Sequence, residues 1–320
     1  MEDKVGLMEG KILVTETVSV AGIHFLQEKG YTVIHSQKTD EESLIRDLKD
    51  CAGMIVRIVP ITKKVIGNAP NLKVIAKHGV GTDNIDITAA KTKGIRVINT
   101  PRANTLSVAE YTVALLLSCA RNIPLMSQKY RDGEHDTKDR VECHQVSGNV
   151  LGLLGLGHIG QIVARIASAG LGMKVLAYDP YIKTAPEGVT LVDDMDKLLS
   201  ESDYVSVHMP LTPHTRHCVS THQFSVMKKT AYIINCSRGS IIDEAELIAA
   251  LKSGEIGGAA LDVTESEPAL PDNPLFKMDN VILTAHNAAT TKEAMDNMVL
   301  DAASGIDDVL NGRTPKWEVA

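Results

Sequence analysis

Three residues suited to acid–base chemistry follow apolar runs in the second half of the chain: Arg238 after AYIINCS, Glu267 after GGAALDVTES and His286 after VILTA. A histidine exchanges a proton near neutral pH, a glutamate beside it fixes the ring tautomer and favours the charged form, and an arginine offers a planar fork of donors to a carboxylate. Singly, each has a plain alternative: Arg238 a surface ion pair, Glu267 a loop acid before Pro268, His286 a hydrogen-bonded turn residue. If the runs before them are parallel strands, all three gather at the carboxyl edge of one sheet, where such folds bind ligands.

A second constellation is Gly155-Leu156-Gly157-His158-Ile159-Gly160, between the apolar run Val150 to Leu154 and the helix-like QIVARIASAG. The first glycine permits a tight turn, the second lets backbone approach a pyrophosphate, and the third lets helix and strand pack closely, with helix N-terminal amides facing the anion. Asp179 ends the next apolar run, KVLAYD, 19 residues beyond Gly160. There a carboxylate accepts hydrogen bonds from ribose hydroxyls and repels a 2'-phosphate. NAD is the expected cofactor, and NADP is disfavoured because Pro180 and Tyr181 follow Asp179 with no adjacent arginine, Lys183 being the nearest cation.

The elements that must position these residues alternate along the chain. KILVT (11–15), TVIH (32–35), GMIVR (53–57), KVIAKH (73–78) and IRVIN (95–99) are short β-branched runs separated by helical stretches, the pattern of a parallel α/β domain of about five strands. Ser107 and Glu110 have capping-box spacing and predict a helix over SVAEYTVALLLSCARN, apolar around most of its circumference and therefore buried on more than one side. Residues 127–148 are polar and read as a solvated loop without chemistry. A second alternating series, VLGLLG, KVLAYD, VTLV, YVSVH, AYIINCS, GGAALDV and VILTAH, ends near residue 286, and Ala294, Met298, Ala302 and Ile306 then recur at helical spacing.

Composition narrows the function class. With 33 basic and 40 acidic residues among 320, the formal charge is −7, so no net positive field exists to hold nucleic acid or an anionic membrane. The five cysteines (Cys51, Cys119, Cys143, Cys218, Cys236) are scattered and form no CxxC pair, which fits free thiols in a reducing compartment better than a disulfide framework or a metal site. The N-terminal MEDKVGLMEGK lacks the basic-then-apolar pattern of a secretion signal, and no run reaches the roughly 18 apolar residues of a membrane span. A soluble cytoplasmic protein acting on small molecules is expected.

The motifs GLGHIG, YDP, HMPLTPHT, INCSRGSIIDEAEL, GAALDVTESEP and TAHNAATTKEA, preceded by HGVGTDNID and NTPRANTLSVAE, resemble the D-isomer-specific 2-hydroxyacid dehydrogenases over about residues 50–310. The likeness is to the phosphoglycerate dehydrogenase and hydroxypyruvate or glyoxylate reductase branch. It implies two doubly wound parallel-sheet α/β domains, and replaces a serial arrangement by an insertion: a flavodoxin-like substrate domain of residues 1–106 and 291–320, and an NAD-binding Rossmann domain of residues 107–290. It also implies hydride transfer to or from a 2-hydroxy or 2-oxo acid, with Arg238, Glu267 and His286 catalytic. The cofactor contacts it implies, besides Gly155, Gly157, Gly160 and Asp179, are His158, Ile159, Met209, Pro210, Cys236, Ser237, Asp262 and Ala288. The backbone of Gly79, Val80 and Gly81 would hold the substrate carboxylate. Formate dehydrogenases of this family usually carry glutamine in place of Glu267, and a corepressor-like, NAD-sensing binding protein is the alternative outside enzymes.

The chain departs from the family pattern at Ala285, Asn287, Ala288 and Ala289 around the histidine, at Arg102, at Trp317, and in lacking a tryptophan in 127–148. No regulatory domain is expected after residue 320. Arg57, Lys77 and Arg102 follow strand-like runs of the substrate domain and, if they converge, suit a second anionic group, making 3-phosphoglycerate the first candidate substrate and hydroxypyruvate or glyoxylate the next. The apolar helix near Ser107 points to a homodimer.

Overall fold

The computed structural model describes residues 10–320; the expectation drawn from the N-terminal residues before these lies outside the described part. The chain divides into two compact units, one comprising the residues up to Thr105 with Thr290–Ala320, the other Leu106–Ala289.

In the first unit the β-branched runs form β1 (Lys11–Val14), β2 (Thr32–His35), β3 (Cys51–Val56), β4 (Val74–Lys77) and β5 (Arg96–Ile98), joined by α1 (Val20–Glu28), α2 (Glu41–Asp47), α3 (Lys63–Gly67) and α4 (Ile87–Thr92). All pairs are parallel, in the order β2-β1-β3-β4-β5, so the winding direction reverses between β1 and β3. Each helix starts on a side chain that accepts a first-turn amide: Ser19, Asp40, Thr62 and Asp86. One face of the sheet packs Leu44, Leu48, Val65 and Ile66 from α2 and α3. The other packs Leu26 of α1 and Val299, Ala302 and Ile306 of the C-terminal helix Lys292–Leu310. The spacing of Ala294, Met298, Ala302 and Ile306 is thus a buried stripe that returns to this unit.

The second unit opens with α5 (Thr105–Arg121) and α6 (Ile123–Arg131). Its strands are β6 (Val150–Leu154), β7 (Lys174–Tyr178), β8 (Val189–Leu191), β9 (Tyr204–Val207), β10 (Tyr232–Asn235), β11 (Gly258–Leu261) and β12 (Val281–Leu283), with α7 (His158–Arg165), α8 (Met195–Glu201), α9 (Thr221–Val226) and α10 (Glu244–Ser253) between them. The sheet is wholly parallel in the order β12-β11-β10-β9-β6-β7-β8, with the reversal between β6 and β9. Such a reversal opens a crevice at the carboxyl edge.

Two local expectations are corrected. The helix predicted to start at Ser107 starts at Thr105, because the turn through residues 101–104 feeds directly into it, so Ser107 lies within the first turn and is not the cap. The polar stretch from residue 127 is partly helical: α6 runs to Arg131, started by Pro124 in its first turn and closed by a Gln128–Asp132 hydrogen bond of 3.0 Å, and a 3-10 turn follows at Thr137–Asp139. Helix α5 is buried along most of its surface, and the exposed stripe is Leu106, Glu110 and Ala114. Among the described residues no helix is long and apolar enough to cross a membrane.

Candidate active site

The turn after β6 is shaped for an anion. Gly155 has φ 99°, and a Cβ there would lie 2.9 Å from the carbonyl carbon and oxygen of His208, while a Cβ on Gly160 would lie 2.6 Å from the Gly155 oxygen. Both glycines therefore let β6, α7 and the end of β9 close on one another. At Gly157 an added Cβ meets nothing within 4 Å, so open space borders the start of α7, where the His158 and Ile159 amides begin the helix. An exposed helix start with free volume beside it suits a pyrophosphate.

Asp179, just past β7, ties the turn together: Oδ2 accepts the Leu156 N–H at 2.9 Å and Oδ1 accepts the Tyr181 N–H at 2.9 Å. Each oxygen retains acceptor capacity for a ribose hydroxyl. After β9, Met209 and Pro210 enter a loop closed by Thr215, whose hydroxyl donates to the Pro210 carbonyl at 2.6 Å. Beside them His208 has Nε2 2.9 Å from the Ser206 hydroxyl, and burial pushes its pKa down to about 4, so it is neutral at physiological pH. Cys236 is buried, and the desolvated thiol is pushed up to about 12. It therefore offers shape and no nucleophile.

The other group of residues sits at the ends of β10, β11 and β12. The fully buried Asn235 shapes the first of these ends: its amide donates to the Arg238 carbonyl at 2.9 Å, and its Oδ1 accepts the Ser237 N–H at 2.9 Å and the Ser237 hydroxyl at 2.7 Å. Arg238 donates from Nη1 to the Ser237 carbonyl at 2.8 Å. A Cβ on Gly239 would lie 2.0 Å from the Thr264 oxygen, so the Arg238 loop rests backbone to backbone on the loop that carries Glu267.

His286 meets Glu267 at 2.7 Å between Nδ1 and Oε2, with the two side chains 37% and 38% exposed. Such an imidazole is oriented yet still reachable by a small molecule, and Nε2 is left for it. The residue has φ 54°, a left-handed conformation uncommon for a side-chain-bearing residue. Asp262, buried at the end of β11, organises that turn. Its carbonyl accepts the His286 N–H at 2.8 Å, Oδ1 accepts the Asn287 N–H at 2.8 Å and the Thr284 hydroxyl at 2.6 Å, and Oδ2 accepts the Ala288 N–H at 2.9 Å.

In the first unit the candidate substrate residues lie past β3, β4 and β5. The Glu16 carboxylate receives the Arg57 N–H at 2.8 Å, the Ile58 N–H at 3.1 Å and the Val59 N–H at 3.4 Å, and Arg57 Nη1 donates to the Thr17 carbonyl at 2.9 Å. The Gly79 N–H is committed to the Thr100 hydroxyl at 3.0 Å, so the amides of this loop that can meet a carboxylate are those of Val80 and Gly81. Lys77 is buried, with its ammonium on the Arg57 carbonyl and, at 2.8 Å, on Asn84. Arg102 lies over the Trp317 ring, 5.4 Å from its centroid. The three cations thus have separate engagements within the unit.

The structural roles of Glu16, Asn235 and Asp262 are not apparent from motif spacing; the one clue is a polar residue ending or following a buried apolar run. All five cysteines are free, and among the described residues no cluster of three or more His, Cys, Asp or Glu is placed to hold a metal.

A profile of the D-isomer specific 2-hydroxyacid dehydrogenase NAD binding domain matches residues 113–288. The D-3-phosphoglycerate dehydrogenase of Methanocaldococcus jannaschii is 46% identical over 306 residues, covering 94% of this chain and 58% of that protein. The chain therefore spans a little over half the length of the curated relatives it matches. Among solved structures, the TT0316 protein of Thermus thermophilus superposes with a TM-score of 0.90 at 33% identity, covering 97% of this chain and 100% of that one. The NADPH-dependent glyoxylate/hydroxypyruvate reductase of Sinorhizobium meliloti, solved with NADP and malonate, gives a TM-score of 0.88 at 28% identity, covering 98% and 97%.

Proposed function

Because the chain belongs to the D-isomer specific 2-hydroxyacid dehydrogenase family, we propose that it catalyses hydride transfer between NAD and C2 of a short D-2-hydroxy acid, with Leu106–Ala289 as the cofactor unit and the other unit as the substrate domain. The observation that carries this reading is the 2.7 Å hydrogen bond between His286 and Glu267 at the same sheet edge as the glycine-rich turn. Bound NAD supplies the hydride acceptor. On oxidation His286 Nε2 takes the hydroxyl proton, and Glu267 stabilises the imidazolium so formed; on reduction the proton returns to the product oxygen. Arg238 pairs with the substrate carboxylate. The open helix start at Gly157, with Asp179 below it, suits the pyrophosphate and adenosine ribose of NAD.

For the substrate, 3-phosphoglycerate is the first candidate, supported by the relatives named for it and by Arg57 at the end of β3. A small monoanion such as hydroxypyruvate or glyoxylate is the second reading, favoured by the engagement of Lys77 and Arg102 within the fold. The deciding experiment is a kinetic screen of the purified protein, with NAD and 3-phosphoglycerate in one direction and NADH with hydroxypyruvate, glyoxylate and pyruvate in the other. Turnover of one of these supports the reading; NADH binding with no turnover of any 2-oxo or 2-hydroxy acid overturns it. We further propose a cytoplasmic homodimer, supported by five free thiols and by the exposed apolar residues Leu106, Ile123 and Tyr130 on α5 and α6. A monomeric mass by light scattering at micromolar concentration overturns the dimer.

A further inference from the structure

The loop after β11 presents Glu267 to His286, and a second histidine–glutamate pair holds that loop. His217 Nε2 lies 2.5 Å from Glu265 Oε1, two residues before Glu267, and His217 Nδ1 lies 3.7 Å from Asp243. The His217 N–H donates to the Ser240 carbonyl at 2.9 Å, two residues after Arg238. The following residues continue the contact: Val219 forms an isolated parallel bridge with Ile242, and the Asp243 N–H donates to the Val219 carbonyl at 2.9 Å. His217 thus touches both the segment that leaves Arg238 and the segment that enters Glu267.

Its backbone is also unusual. His217 has φ 51°, one of three side-chain-bearing residues with positive φ among those described, another being His286. A left-handed histidine costs conformational energy, which the surrounding contacts offset. Beyond the loop, Glu244, Glu265, Ser266, Leu270 and Asp272 line a cavity of about 480 Å³. Besides the backbone contact at Gly239, the loop is fixed by polar contacts: the His217–Glu265 pair, and the Glu265 N–H donating to Glu244 at 2.9 Å.

We propose that His217 is a positioning residue which, through Glu265, holds the Glu267 carboxylate against His286. The proposal rests on the reading of His286 as the acid–base group, and it adds a residue outside the catalytic and cofactor-binding set proposed above. Glu265 and Asp243 are charged groups that meet His217, with Glu244 on the Glu265 amide; Glu267 meets His286, with Asp262 on the amides that follow it.

The test uses the full chain with His217→Asn, which tolerates the left-handed backbone but is too short to reach Glu265, His217→Gln, which restores a donor at similar reach, and Glu265→Ala. Expected for His217→Asn are a fall in kcat of about 10-fold or more, consistent with partial loss of general acid–base catalysis, and NADH affinity within about twofold, given that no cofactor contact is removed. His217→Gln should recover most of the rate. The double variant His217→Asn/Glu265→Ala should be no slower than the worse single variant, as for residues acting through one interaction. The Nδ1–H proton of the His286 imidazole, observed by NMR without any substrate, should lose its downfield hydrogen-bonded position in His217→Asn, because a displaced Glu267 no longer accepts it. If His217→Asn does not fold, Glu265→Ala carries the same NMR comparison. An unchanged His286 ring signal with unchanged kcat overturns the positioning role. Undiminished turnover in His286→Ala overturns the acid–base reading instead, and the substrate-free spectrum separates the two failures.

Discussion

Asp262 holds the His286 turn with both its main chain and its side chain: its backbone carbonyl takes the His286 N–H, and its carboxylate takes the next two amides, Asn287 and Ala288. This explains how a histidine persists at φ 54° without glycine's freedom. In Asp262→Ala those amides and the Thr284 hydroxyl lose a buried acceptor. The expected result is a stability loss of about 2–4 kcal/mol, read by chemical denaturation. Asp262→Asn, which keeps one acceptor oxygen, should lie between the two.

His286→Ala should lower kcat by about 10² to 10⁴ while NADH binding stays nearly intact, because in the proposed function the ring exchanges the substrate proton and does not hold the cofactor. Glu267→Gln should lower kcat by about 10-fold or more, since the amide no longer orients and stabilises the ring held 2.7 Å away. Steady-state rates beside cofactor-binding measurements check both.

Asp179 ties the turn together and, in the proposed function, also receives the adenosine ribose, so Asp179→Ser should both loosen the Leu156 amide and relax the bias against a 2'-phosphate. A rise in KM for NADH and a fall in the NADH-to-NADPH ratio of kcat/KM, each of about 10-fold or more, are expected. A parent enzyme with the higher kcat/KM for NADPH would contradict the cofactor preference.

His78 is buried, its Nε2 has no hydrogen-bond partner, and burial, aided by the charges of Arg57 and Lys77, pushes its pKa from 6.5 down to about 4. Between those values the unfolded chain binds a proton that the native unit does not. Stability therefore falls as pH drops from about 6.5 towards 4, and this contribution is flat above. His78→Leu removes the effect along with the unpaired nitrogen. Relative to the parent, it should gain about 1–3 kcal/mol at pH 4.5 over its difference at pH 7.5. Parallel pH dependence in the two proteins would sink this assignment.

The strands and their carboxyl edges were legible in the sequence because each β-branched run is a buried parallel strand, and a polar residue just past it has nowhere else to lie. Arg238, Glu267 and His286 illustrate this, as does the glycine-rich turn after β6. His217 and Asp262 were not legible in these roles, since each meets its partners only once folding brings separate segments together. The start of α5 was misplaced by two residues because a capping pattern at Ser107 competes with a turn already wound at residues 101–104. Helix α6 was missed because it buries no side chain and so leaves no apolar period to read.

Glu16 fills a cup of three successive amides, Arg57, Ile58 and Val59, that an incoming anion would otherwise seek. The chain carries its own resident anion there. The loop that bears Arg57 is consequently set when the unit folds, and a ligand arriving beside it meets a finished wall, spared the entropy of ordering that backbone.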